Sequence, residues 1–146
     1  MKTFQQFTEE YKGRINWIAP DANSEHDEVE HQLTGHKETP FLPDWAAKRM
    51  SQLSNKDEWN KAIKKGKPKD FSRQDLRKVG NTESWESLDK DKKQRAPTLY
   101  GADKKVQRPI ILRNPETGEH HLIAGNTRSA YTTQVLGHPV SAHVIE

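Results

Sequence analysis

Between Pro109 and Glu146 the apolar residues fall into short runs separated by turn residues, and no other feature limits the fold of this chain as strongly. PIILR (109–113) and EHHLIAG (119–125) flank NPETG, which carries Pro115 and Gly118 at turn positions. That spacing predicts a β-hairpin. A helix from about Thr127 to Leu136 is expected next, stopped by Gly137 with Pro139 beyond it, and PVSAHVIE then reads as a closing strand.

Upstream the pattern is different. MKTFQQFTEEYKG places Phe4, Phe7 and Tyr11 on one side of a short amphipathic helix that Gly13 ends. RINWIAP reads as a short strand. DANSEHDEVEHQLTGHKETP has almost no apolar content, so residues 20–40 are expected to be a linker or acidic loop. From Pro43 onward helix signals return: Pro43 and Asp44 open DWAAKRMSQL, Asn55 caps KDEWNKAIKKG with Gly66 after its end, and Ser72 caps RQDLRKVG with Gly80 after it. A fourth helix is expected over about Glu83 to Arg95. Trp45, Trp59 and Trp85 each fall on one of these helices at packing positions. The fold class is therefore α+β. An acidic segment (1–40) and a helical region (41–96) precede a C-terminal β-β-α-β unit (97–146), with 41–146 forming one domain.

Composition narrows the function classes. The absence of cysteine excludes a disulfide framework, cysteine-ligated zinc and thiol catalysis. No apolar run is long enough for a membrane span, and no basic-then-apolar leader opens the chain, so a cytoplasmic protein without a membrane partner is expected. Charge is unevenly placed: residues 1–40 hold eight acidic and four basic side chains, residues 41–146 thirteen acidic and twenty basic. The basic body suggests polyphosphate partners. The acidic head is able to fold back over it.

The junction of the second hairpin strand with the following helix holds the most informative chemistry. With Asn126 as N-cap, Arg128 falls in the first helical turn, where a cation opposes the macrodipole and costs a few tenths to about 1 kcal/mol unless an anion sits opposite. Unpaired amides, a guanidinium and the polar side chains of Asn126 and Thr127 then converge beside Gly125, as a phosphate site requires. The alternative is a salt bridge from Arg128 to a carboxylate such as Glu119, with Gly125 only making the turn.

Pro109-Ile110, the turn, a strand ending in Gly125-x-x-Arg128, the small Ala130, Leu136-Gly137 and a closing strand resemble the ParB/sulfiredoxin-like (ParB N-terminal domain-like) superfamily. The resemblance covers about residues 100–146. It implies that Gly125, Asn126, Thr127 and Arg128 contact the phosphates of a nucleotide. The superfamily includes partition proteins that bind CTP, nucleases, sulfiredoxins and an amino-acid kinase. Without cysteine at the corner, sulfiredoxin chemistry is excluded. Ser129 stands where partition proteins carry a second arginine, and no helix-turn-helix pattern follows, so a partition-site reader is not expected. The MKTFQQF opening is similar in style to small accessory proteins of tailed bacteriophages, which would place the protein in a host cytoplasm.

Other constellations are weaker. His26, Glu30, His31 and His36 meet no known ligand spacing and are expected to be solvated, so no metal site is assigned. His120 and His121 point to opposite faces of their strand, and with Glu119 they are the acid/base candidates near the corner. Of three basic clusters (Lys61 to Lys69, Lys90 to Arg95, Lys104 to Arg108), the last stands just before the hairpin. Lys104, Lys105 and Arg108 are thus the candidates for extending the corner into a nucleic-acid groove. The expected function is a phosphate-binding accessory protein for nucleotide or nucleic acid. The alternatives are a nuclease, NTPase or kinase at the same corner, with nucleotide and Mg2+ as candidate cofactors, and an inhibitor that meets a host protein through its acidic head.

Overall fold

The computed structural model describes residues 15–35, 42–100 and 104–146. The helix expected at Phe4, Phe7 and Tyr11, and His36, lie outside them. The described residues form an α+β structure in which a five-stranded mixed sheet separates helices on one face from a smaller helical and ribbon layer on the other.

The elements, in chain order, are β1 (Asn16–Ile18), α1 (Ala22–Thr34), α2 (Asp44–Leu53), α3 (Lys56–Lys65), β2 (Lys67–Phe71), α4 (Arg73–Leu76) and β3 (Val79–Gly80). A 3-10 turn (Trp85–Ser87), α5 (Lys90–Arg95), a second 3-10 turn (Ala96–Leu99), β4 (Lys105–Gln107), β5 (Ile110–Arg113), β6 (His120–Ala124), α6 (Asn126–Ala130) and β7 (Val140–Ile145) follow. The main sheet has the order β2-β7-β5-β6-β3, and β1 pairs with β4 in a separate parallel ribbon. The β5–β6 hairpin forms where it was expected. Its turn closes through Asn114 and Glu119 at 2.8 Å, with Gly118 at positive φ.

The sheet's alternation sorts its side chains into two cores. Ile110, Leu112, Ile123 and Ile145 face α1, α2 and α3, where Val29, Met50, Leu53 and Trp59 meet them. Ile111, Leu122, Val140 and Ala142 face the other way, toward Phe71, Leu76 and Val79. A third cluster, Ala96, Tyr100, Val106, Tyr131 and Leu136, fixes the segment that follows α6 to the ribbon. Each fully buried Leu, Ile or Val contributes about 1.5–3 kcal/mol. Helices α2 and α3 lie close to their expected bounds, with the Asn55 side chain accepting from the amides of Asp57 and Glu58. Trp59 is fully buried, and Trp45 and Trp85 are partly buried.

Four expectations need correction. The loop expected over residues 20–40 is helix from Ala22 to Thr34: Asp21 caps it through the amides of Asn23 and Ser24, and Gly35 in the left-handed conformation ends it. Its apolar content is low because Gln32, a polar residue, takes a buried position beside Val29. The Ser72-capped helix is one turn closed by a capping box with Asp75, and Gly80 belongs to β3. The helix expected over 83–95 is broken at Leu88, which is extended, and Asp89 caps a separate α5. Lys67–Phe71, read as part of a helical region, is an edge strand antiparallel to β7. Among the described residues no helix is long and apolar enough to cross a membrane.

Candidate functional site

The end of β6 turns into α6 through Gly125, which has φ +95°. An L side chain there is strained, and an added Cβ would stand 2.7 Å from Pro109 Cβ and 2.9 Å from Arg128 Nη2. Glycine is therefore required on two counts, left-handed backbone and contact with Pro109. Gly125 itself is the N-cap, so the expectation that Asn126 caps the helix is corrected. The Asn126 side chain instead ties down the β3–α5 segment: its Oδ1 accepts from the amide of Glu83 at 2.9 Å and its Nδ2 donates to the carbonyl of Asn81 at 3.3 Å. Helix α6 is also shorter than expected, and from Tyr131 to Val135 it widens into a π turn. Leu136 N accordingly bonds the carbonyl of Tyr131.

This corner lines a cleft of about 390 Å³ between α1 and α5. Gly125, Asn126, Thr127 and Arg128 all reach it. Glu25 and Glu28 contribute from α1, Glu83 from the loop after β3, and Lys92 and Arg95 from α5. The exposed Leu99 supplies apolar surface, whereas Ala96 and Leu122 also line the cleft but are almost fully buried. Arg128 Nη2 lies 3.2 Å from Glu25 Oε1, and the two side chains are only 15% and 18% exposed. The guanidinium is thus paired with a carboxylate of the acidic N-terminal segment, and not with Glu119. Glu119 Oε2 accepts from the indole of Trp45 at 3.0 Å. Tyr100 braces the base of the corner by donating to the carbonyl of Arg128 at 3.3 Å. Its hydroxyl also meets Thr132 Oγ1 at 2.7 Å, and burial pushes its pKa up to about 12, so it remains a donor at neutral pH.

The acid/base candidates are placed elsewhere. His121 is fully buried beneath α1, and its Nε2 meets Gln32 Oε1 at 2.8 Å. The Gln32 amide nitrogen donates to the carbonyls of Ile123 and Leu122, at 2.8 and 3.4 Å. Its oxygen must therefore accept, and His121 carries its proton on Nε2. Burial pushes His121 down to about 4, which keeps the ring neutral. His120, on the opposite face, packs edge-on against Phe71 and is also lowered, chiefly by burial. Neither histidine lines the cleft. His26, expected to be solvated, is engaged by the carbonyl of Leu53 at 2.9 Å and stacks near Trp59.

Of the expected nucleic-acid contacts, Lys104 and Lys105 are exposed, and Arg108 donates to Ser141 Oγ at 2.9 Å. None of the three lines the corner cleft, and the cations brought to it are Lys92 and Arg95 of the second basic cluster. Sequence reasoning did not connect Glu25, Glu28 or Gln32 with the corner. The only local signal was Asp21 followed by Glu25, a capping residue and an acidic first turn. Among the described residues no three His, Asp or Glu side chains are grouped as a metal site would need. The chain matches no protein-family model, no curated protein and no solved structure at a significant level.

Proposed function

We propose that the Gly125–Arg128 corner is a phosphate-binding site for a nucleotide, and that the protein is a binding accessory protein of ParB/sulfiredoxin-like type. The observation that carries this reading is the convergence, in one cleft of about 390 Å³, of the α6 N-terminus and three cations from two elements, Arg128, Lys92 and Arg95. Such a volume falls in the range of small-molecule sites. The exposed side chain of Leu99 offers apolar surface to a base, and the cations suit its phosphates. The β5-turn-β6-α6-β7 order supports the superfamily reading without establishing it.

Glu25 has a defined part in this reading. It holds Arg128 against the corner, and a phosphate entering there takes over part of the guanidinium from it. Phosphoryl transfer or cleavage at the same cleft is the second reading, favoured by the carboxylates of Glu25, Glu28 and Glu83 beside the cations. A nucleotide-borne Mg2+ would bring phosphate oxygens of its own and needs only one or two protein carboxylates.

Titration of the labelled protein with CTP, ATP and GTP, with and without Mg2+, followed by amide chemical shifts, tests the binding reading. The expected result is movement of the Asn126, Thr127 and Arg128 amides. Arg128→Ala is expected to weaken binding by about 1.5–3 kcal/mol, the range for charge-assisted hydrogen bonds. Glu25→Gln is expected to tighten it. No response at these amides to any of the three nucleotides would overturn the proposal. Product formation with Mg2+ would favour the second reading.

A further inference from the structure

A second concave surface lies at the β2 edge, away from the corner. Five cations from three elements line a cleft of about 720 Å³: Arg49 of α2, Lys61 and Lys65 of α3, and Lys67 and Lys69 of β2. Lys61 and Lys65 stand four apart on one helix face, whereas Lys67 and Lys69 share the strand face of Phe71, whose ring centre lies 5.5 Å from Lys69 Nζ, so the groove wraps around the sheet edge. Only Glu58 and Glu146 oppose them. Arg49 is committed to the Glu146 carbonyl at 2.8 and 3.0 Å, and Lys61 approaches Glu58 at 3.8 Å. Among the described residues neither Lys65 nor Lys67 has an ion-pair partner, and both are exposed.

We infer that this groove binds the phosphodiester backbone of duplex DNA, independently of the corner. Cations at the end of a helix complement its dipole, and lysines on an edge strand deter strand addition. Either effect explains one element, but neither explains why lysines of both helix and strand line one concavity. Pro68 has no amide hydrogen to offer, so the edge is unsuited to an added peptide strand. Among the described residues no aromatic side chain lines the groove, so bases find no stacking surface there. What remains is recognition of regularly spaced phosphates without sequence readout.

The test is fluorescence anisotropy of a labelled random-sequence duplex of about 20 base pairs, with the affinity followed against salt for the wild type and for a Lys65→Ala/Lys67→Ala variant. The variant is expected to bind more weakly at low salt and to lower the log–log salt slope by about 1.8, at about 0.9 for each lost phosphate contact. Circular dichroism and thermal melting check that it remains folded, as is expected of two exposed positions. Arg128→Ala is expected to bind the duplex like the wild type, so failure of the groove and failure of the corner are read on different ligands. The inference is overturned if the wild type does not bind the duplex at low salt, if the double variant keeps the wild-type affinity and slope, or if polyglutamate displaces the duplex at equal charge. The last result would assign the groove to an acidic protein surface.

Discussion

The corner cleft and the edge groove both gather cations, yet they compensate them by opposite means. At the corner, Arg128 is drawn against Glu25 and largely withdrawn from water, and the neighbouring side-chain amides of Asn126 and Gln32 are committed to backbone and histidine partners. At the edge, Lys65, Lys67 and Lys69 are exposed, and their charge is balanced by solution ions. A cation held by its own protein in a partly buried corner acts through geometry and responds little to salt. A set of solvated lysines acts through charge density and is screened readily. If both proposals hold, one protein presents two kinds of anion surface, one fitted to a small ligand and one to a polymer.

The glycines offer the largest way to break this comparison. Gly125→Ala combines left-handed strain of about 1–2 kcal/mol with overpacking against Pro109, so a loss of about 2–5 kcal/mol is expected in urea unfolding. Gly66, at the edge groove, has an ordinary φ, but an added Cβ would meet the His143 ring and Ile145. Gly66→Ala is therefore expected to cost only the packing share, about 1–3 kcal/mol. Equal losses at the two sites would show that the corner's backbone is not specially constrained.

Acid separates the two regions next. Because His121 is lowered to about 4 from an ordinary value near 6.5, the unfolded chain binds its proton first as pH falls. The stability it contributes is complete above about pH 6.5 and is lost progressively below that, the loss reaching roughly 3 kcal/mol by pH 4. Urea melts at pH 7 and pH 4 read the loss, and His121→Leu should flatten that part of the profile. Since His121 holds α1 through Gln32, hydrogen exchange at acid pH should rise first in α1 and at the corner, before it rises at the groove.

Smaller effects sharpen the contrast. Arg128→Ala is expected to lower stability by roughly 1–2 kcal/mol, between the values for surface and fully buried pairs, and a double-mutant cycle with Glu25→Ala should recover most of that as coupling. If stability falls while nucleotide binding is untouched, the pair is purely structural and the phosphate reading of the corner fails. Lys65→Ala/Lys67→Ala should change stability by no more than about 0.5 kcal/mol, because solvated charges hold nothing in place.

What could be read from the sequence follows from where apolar residues dominate. Helices α2 and α3 carry Met50, Leu53, Trp59 and Ala62 at helical spacing, with Asn55 as a cap, and the hairpin has its apolar runs on either side of a turn. Helix α1 was misread because its core face includes a glutamine. Gln32 is buried through hydrogen bonds to β6 and His121, which hydrophobic periodicity does not detect. Strand β2, KPKDF, has a single buried residue and owes its conformation to pairing with β7. At the corner, the dipole argument located the arginine, yet the partner of Arg128 lies 103 residues earlier in the chain. Local chemistry could state that a carboxylate was an alternative but not name it. The capping position lies one residue earlier than expected, at Gly125, whose left-handed backbone local chemistry did not signal.

That 103-residue span also sets an order of events during synthesis. Helix α1 leaves the ribosome long before β6 and α6, the elements that supply the partners of Gln32 and Glu25, and at about 5–20 residues per second it waits on the order of 5–20 s for them. A 13-residue helix is marginal alone in water, so through that interval α1 has only α2 and α3 to pack against. The corner is completed among the last events of folding, when the C-terminal strands close the sheet and Glu25 reaches Arg128. A nascent chain stalled before β6 would therefore carry Glu25 without the arginine that it meets in the folded protein.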